Sequence, residues 1–178
     1  MRVLLIHGWG GSDERHWQSW LCEELKKQNI EVHFPLLPHA DLPKLDEWLT
    51  ALEKEVKTFG DDLVLIGHSL GCPTILHLLE KHKAGKAILV CGFAKDLGIN
   101  EIRDFVNKPF DWKKIKQNCK DILCISSDND HYIPIEVAED LAKNLGVKLI
   151  VEHNAEHIYA PKFGPYPRML ELLSSKRS

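Results

Sequence analysis

Residues Leu63 to Leu79 constrain this chain more than any other stretch. Leu63-Val64-Leu65-Ile66 are four apolar residues of β-prone character, Gly67-His68-Ser69-Leu70-Gly71 follow, and a helical pattern starts at once. That order, strand then turn then helix, is the context in which G-x-S-x-G forms a nucleophile elbow. The turn is too tight for a Cβ at positions 67 and 71, so glycine lets the strand and helix backbones close on it. Ser69 at the apex is expected to project its Oγ above the carboxyl end of the strand. The next amide, that of Leu70, falls at a helix N-terminus, where unpaired N–H groups favour a developing negative charge. In a chain with 11 glycines, such a pentapeptide arises by chance in roughly 3% of shuffled sequences. A glycine turn used only for packing is the plain alternative.

With 178 residues, the chain is expected to form a single domain, residues 1–178, with one sizeable core. Its hydrophobic content of 44% and charged content of 28% are those of an ordinary globular chain. A net charge of −3 argues against a nucleic-acid surface. No stretch approaches the ~18 apolar residues of a membrane span. The run Val3-Leu4-Leu5-Ile6 is too short for a secretory signal and reads as a strand. The five cysteines, Cys22, Cys72, Cys91, Cys119 and Cys124, are scattered and include no C-x-x-C pair. Reduced, buried thiols in a cytoplasmic protein are the expectation. Ten histidines raise the question of a metal. The one i, i+4 pair at the far end, His153 and His157, lacks both a predicted helix and an H-E-x-x-H glutamate, so neither a metal nor another cofactor is expected.

Taken in order, Val3 to Ile6 reads as a strand buried on both faces. It runs into the glycine-rich loop His7-Gly8-Trp9-Gly10-Gly11-Ser12, whose spacing matches neither phosphate-binding fingerprint. Beside an elbow serine, such a loop suits an oxyanion hole, with the Trp9 N–H as one donor and the Leu70 N–H as the other. Trp17, Trp20, Leu21 and Leu25 recur at helical spacing, capped by Ser12 or Asp13. Glu31 to Phe34 is a short strand, Pro35 to His39 an extended loop, and Leu45 to Val56 a helix. Phe59-Gly60-Asp61-Asp62 turns the chain into the elbow strand. A helix to about His82, a strand over Ala87 to Cys91, a strand over Asp121 to Ser126, a helix over Ile135 to Leu145 and a strand over Lys148 to Glu152 follow. Residues 92–120 are less regular and, at under about 30 residues, too short for a lid domain. The site is therefore expected to be shallow and open. Pro161, Pro165 and Pro167 precede a final helix containing Met169 and Leu173, and residues 174–178 are expected to fray. The alternation of strands and helices specifies a mostly parallel, doubly wound α/β sheet with right-handed crossovers and helices on both faces.

Polar groups then fall at the carboxyl ends of predicted strands in the order Ser, Asp, His, the order that α/β-hydrolases use. A serine hydroxyl is a weak nucleophile until an imidazole takes its proton and a carboxylate holds that imidazole. The base is His153 or His157; His157, out on the loop, has the better reach. The acid is Asp128 or Asp130, with Asp130 favoured by its place four before Pro134 and Asp128 in support. His68, next to Ser69 on a tight turn, points elsewhere and reads as structural.

The chain resembles the small lidless serine hydrolases of the retinoblastoma-binding-protein-nine type, a compact branch of the α/β-hydrolase superfamily. The similarity runs through the early glycine loop, Ile66-Gly67-His68-Ser69, Asp96-Leu97-Gly98, Pro109 to Cys119 and the acid loop Ser127 to Pro134. The resemblance implies a compact α/β-hydrolase fold without a large lid, with Ser69, Asp130 and His157 as nucleophile, acid and base. Two departures stand out: His131 where proline is common after the acid, and Ala155-Glu156 before the base where a small residue or glycine is usual. The expected activity is hydrolysis of small acyl esters, thioesters or amides through an acyl-enzyme. The alternatives are a catalytically silent hydrolase-fold binding module and an acyltransferase or perhydrolase on the same triad. The expected partner is a small acyl substrate, with no nucleic acid or membrane, and no protein partner is indicated. Trp9, Phe93, Tyr132, Ile158 and Tyr159 are the aromatic and apolar residues expected around the site.

Overall fold

The computed structural model describes residues 1–11, 17–158 and 164–175. Six strands, β1 (Arg2–Ile6), β2 (Glu31–His33), β3 (Gly60–His68), β4 (Ala84–Val90), β5 (Ile122–Ser127) and β6 (Leu149–Glu152), alternate with α1 (Trp17–Lys27), α2 (Leu45–Val56), α3 (Gly71–Lys81), α4 (Trp112–Asn118), α5 (Ile135–Leu145) and α6 (Arg168–Ser174). The strands form one sheet in the order β2-β1-β3-β4-β5-β6, and every neighbouring pair is parallel.

The continuous apolar runs are explained by the two faces of this sheet. In β3, Leu63 and Leu65 point into one core while Val64 and Ile66 point into the other. Likewise β1 sends Leu4 and Ile6 one way and Val3 and Leu5 the other, and β4 divides Ala87 and Leu89 from Ile88 and Val90. With side chains alternating at period two, a strand covered on both faces has to be apolar throughout. The first core is closed by Trp48 and Leu52 of α2, Ile75 of α3, Ile115 of α4 and Leu141 of α5. The second is closed by Trp17 and Leu21 of α1 and by Met169 and Leu173 of α6.

The chain leaves β1 for β2 on one side and returns to β3 on the other, which makes the β1/β3 boundary a topological switch point. Ligand crevices of open α/β sheets form outside the carboxyl ends of the strands at such a point. Both the glycine-rich loop and the elbow lie there.

The structure differs from the sequence reading in detail. β3 starts at Gly60, because Gly60 pairs with Ala84 before a register shift to Val64 and Lys86. Cys91 leaves β4, having a φ of 51° that a strand cannot accommodate. Residues Asn100–Phe105 form a 3₁₀ turn that no periodicity announced. The expected cap at Ser12 or Asp13, Tyr159, Pro161 and the last three residues of the tail lie outside the described residues. Among the described residues, no helix is long and apolar enough to cross a membrane.

Candidate active site

Ser69 has φ = 53°. A serine in this left-handed region is strained by about 1–3 kcal/mol and persists only where its surroundings hold it. Its N–H donates to the Val90 carbonyl, and its own carbonyl accepts from the Cys72 N–H, both at 2.9 Å. A Cβ on Gly67 would stand 2.7 Å from the Gly71 carbonyl carbon, and one on Gly71 would collide with the Ile6 carbonyl. Both glycines of the motif are thus demanded by close approach, as the sequence suggested.

The glycine-rich loop packs directly against the elbow: a Cβ on Gly8 would lie 3.2 Å from the Ser69 Cβ. The Gly10 N–H donates to the Ala40 carbonyl at 2.9 Å, and the Trp9 indole Nε1–H to the Asp41 carbonyl at 2.8 Å. Fully buried His7 adds a third anchor, its Nε2 accepting from the Leu37 N–H at 2.9 Å. Among the described residues, neither the Trp9 nor the Leu70 backbone N–H donates to a backbone carbonyl.

On the other side, His157 Nδ1 meets Asp130 Oδ2 at 2.7 Å, with the two side chains 8% and 0% exposed. Asp130 Oδ1 accepts from the Tyr132 and Ile133 N–H groups at 2.9 and 3.0 Å. Burial alone would raise the Asp130 pKa. The hydrogen bond and charge of His157, together with those two amides, outweigh it and hold the carboxyl below its ordinary value. The alternatives that the sequence left open form a second couple: His153 Nδ1 meets Asp128 Oδ2 at 2.6 Å, with His153 79% exposed. Of the two couples, it is the first that reaches the cavity lined by Ser69, through His157.

Two polar residues at the end of β5 stitch these loops together. Ser127 Oγ donates to Asn129 Oδ1 and accepts from the Ala155 N–H, while Asn129 Oδ1 also accepts from the Glu156 N–H. Asn154, Glu156 and Ile158 all have φ near 50°, so Glu156 occupies a backbone position suited to glycine. His68 packs behind His157, its Nε2–H donating to the His157 carbonyl at 2.9 Å and its ring lying 4.8 Å from that of His157. His68 also lines the cavity itself, between Gly8 and Ser69.

The cavity has a volume of about 490 Å³. Trp9, Phe93 and Tyr132 line it as expected; Ile158 does not, being fully buried beneath the sheet with Trp17 and Met169. Leu97, Ile99 and Ile102, around the 3₁₀ turn, form an apolar wall, and Ile133 and Asp41 complete the lining. None of these five was expected from the sequence to line the site. The irregular 92–105 segment carries no period that would say which way its side chains face.

Among the described residues His68, Cys91 and His157 bring ligand atoms within 4.8 Å of one another. His68 Nε2 and His157 Nδ1 are engaged as above, and burial pushes the Cys91 thiol well up, with the Asp130 charge adding to it. The thiol of this set is protonated and would have to give up its proton before it could ligate an ion.

The family model described as serine hydrolase matches residues 3–175. YdeN of Bacillus subtilis (strain 168), a hydrolase by name, is 32% identical over 180 residues, covering 98% of this chain and 95% of its own. Its crystal structure superposes with a TM-score of 0.91 over 97% of this chain and 96% of that one. The serine hydrolase RBBP9 of Rattus norvegicus is 25% identical over 96% of this chain and 94% of its own. A YdeN-like hydrolase of Pectobacterium atrosepticum, at 24% identity, shares the fold with a TM-score of 0.74. An elbow serine at a β1/β3 switch point, a buried Asp–His couple on the neighbouring loops and these likenesses converge on one conclusion: the chain belongs to the serine hydrolase family, with an α/β-hydrolase fold.

Proposed function

We propose that the chain hydrolyses small acyl esters, or related thioesters and amides, with Ser69 as nucleophile, His157 as general base and Asp130 as its orienting acid. The observation that carries this reading is the buried 2.7 Å Asp130–His157 hydrogen bond, opening on the cavity lined by the strained Ser69. The Asp130 carboxylate fixes His157 with Nδ1 protonated, which leaves Nε2 as the basic nitrogen toward the cavity.

In this scheme His157 takes the proton of Ser69 Oγ as the oxygen attacks the acyl carbonyl. The Trp9 and Leu70 amides receive the negative oxygen of the tetrahedral adduct. Losing one such donor costs about 10²-fold or more in rate. His157 then protonates the leaving group and activates the water that clears the acyl-enzyme. The five free, buried cysteines suit a reducing compartment such as the cytoplasm, and one α/β-hydrolase domain carries the whole reaction.

A fluorophosphonate probe tests the scheme. Wild type should be labelled stoichiometrically and Ser69→Ala not at all, with hydrolysis of p-nitrophenyl esters falling by on the order of 10⁶ if the triad acts as a unit. Well-folded wild type that takes no label would overturn it in favour of a silent binding module.

A further inference from the structure

Among the described residues, the cavity lining holds one carboxylate that the reaction scheme does not use, that of Asp41, and neither lysine nor arginine accompanies it there. Among the described residues Asp41 makes no side-chain ion pair. Its place is fixed from two sides. The Trp9 indole Nε1–H donates to the Asp41 carbonyl and the Gly10 N–H to the Ala40 carbonyl, so the Asp41 turn and the loop bearing the Trp9 amide move as one piece. The nearest approach to a Cβ built on Gly10 is Asp41 Oδ1 at 3.9 Å, which puts the carboxylate against that loop.

Two aromatic faces share the mouth. Trp9 is 43% exposed and Tyr132 63% exposed, although both are large hydrophobic side chains. Tyr132 is held there by an edge-on contact with the His157 ring, at 5.0 Å between centroids. A carboxylate next to the Trp9 loop, in a cavity that exposed indole and phenol rings also line, is the chemistry that receives an ammonium group, by charge and by cation–π attraction. The Leu97, Ile99 and Ile102 wall offers such a group neither a charge nor a ring face.

We propose that Asp41 is a specificity-determining residue that favours acyl substrates bearing a positively charged nitrogen, with the apolar remainder of the substrate lying along the Phe93–Ile102 wall. This inference rests on the serine-hydrolase reading above and refines its substrate class. Because the group sits at an exposed mouth, its worth is that of a solvent-screened pair, about 2- to 5-fold in kcat/KM.

The test uses isosteric pairs that differ only in charge. One pair is the p-nitrophenyl esters of a trimethylammonio-alkanoate and its tert-butyl analogue; the other is acetylcholine and the acetate of its tert-butyl analogue. Wild type should prefer the cationic member of at least one pair. Asp41→Asn should lower that cationic-to-neutral ratio about 2- to 5-fold, mainly through KM, and Asp41→Lys should invert it. Raising ionic strength from about 0.05 to 0.5 M should erode the wild-type preference in the same direction. A ratio that is the same in wild type and both variants, while the neutral esters are still turned over and Ser69 still takes the fluorophosphonate, overturns the role of Asp41 alone. No turnover of either member and no labelling overturns the catalytic reading, and this inference with it.

Discussion

At Asp130 burial and bonding pull in opposite directions, and the balance has a measurable sign. Burial raises its pKa, while His157 and the Tyr132 and Ile133 amides lower it by more, so the folded value lies below the unfolded one of about 3.9. The ionised carboxylate therefore stabilises the fold fully above about pH 4, and this contribution fades as pH falls through the lower folded value. Asp130→Asn should lose less stability than wild type between about pH 5 and pH 3, as read by urea unfolding at each pH, and its kcat should drop by about 10⁴-fold, by analogy with the asparagine variant of the chymotrypsin-type triad. An acid limb identical to that of wild type would refute the assignment of the lowered pKa. Sequence alone pointed to Asp130 but left Asp128 open, because both stand on the same loop after β5. Only the third dimension shows that each has its own histidine, and that the Asp128–His153 couple faces solvent.

Among the secondary-structure elements, the crossing of α3 over the end of β1 is what makes the elbow rigid. Gly71 opens α3 with its Cα against the Ile6 carbonyl, where a methyl group has no room and the obstacle is backbone. Gly71→Ala should cost about 2 kcal/mol or more, the upper part of the range for overpacking. Gly164→Ala, with nothing within 4 Å of the added carbon, should change stability by less than about 0.5 kcal/mol. Chemical denaturation of the two variants makes the comparison, and equal losses would mean that the approach of β1 to α3 is not the reason for glycine. This part of the site was legible because a tight approach leaves a residue type behind it. The apolar wall was not. Leu97, Ile99 and Ile102 belong to a loop and a 3₁₀ turn, where neither a 3.6 nor a 2.0 period orients side chains, so only their packing reveals that they face the cavity. Asp41 was hidden for a related reason, since its proximity to Trp9 is made by hydrogen bonds across 32 residues.

For the molecule as a whole, the sheet with both faces covered explains the chemistry of its thiols. All five cysteines are free and buried, and the two-sided core that shields them is the one that forced the strands to be apolar. Burial pushes Cys22 up to about 11 and Cys119 and Cys124 to about 12, and drives Cys72 and Cys91 well up. A thiol below its pKa is protonated and a poor nucleophile. The native protein should therefore take up no iodoacetamide at about pH 8, whereas five adducts should appear together once denaturant opens the core, as read by intact mass. Partial native labelling would place at least one thiol outside the core and break the link between burial and reactivity. The same result bears on catalysis: with every thiol silenced by the fold, a fluorophosphonate mass shift that Ser69→Ala abolishes titrates the elbow serine without first removing a cysteine.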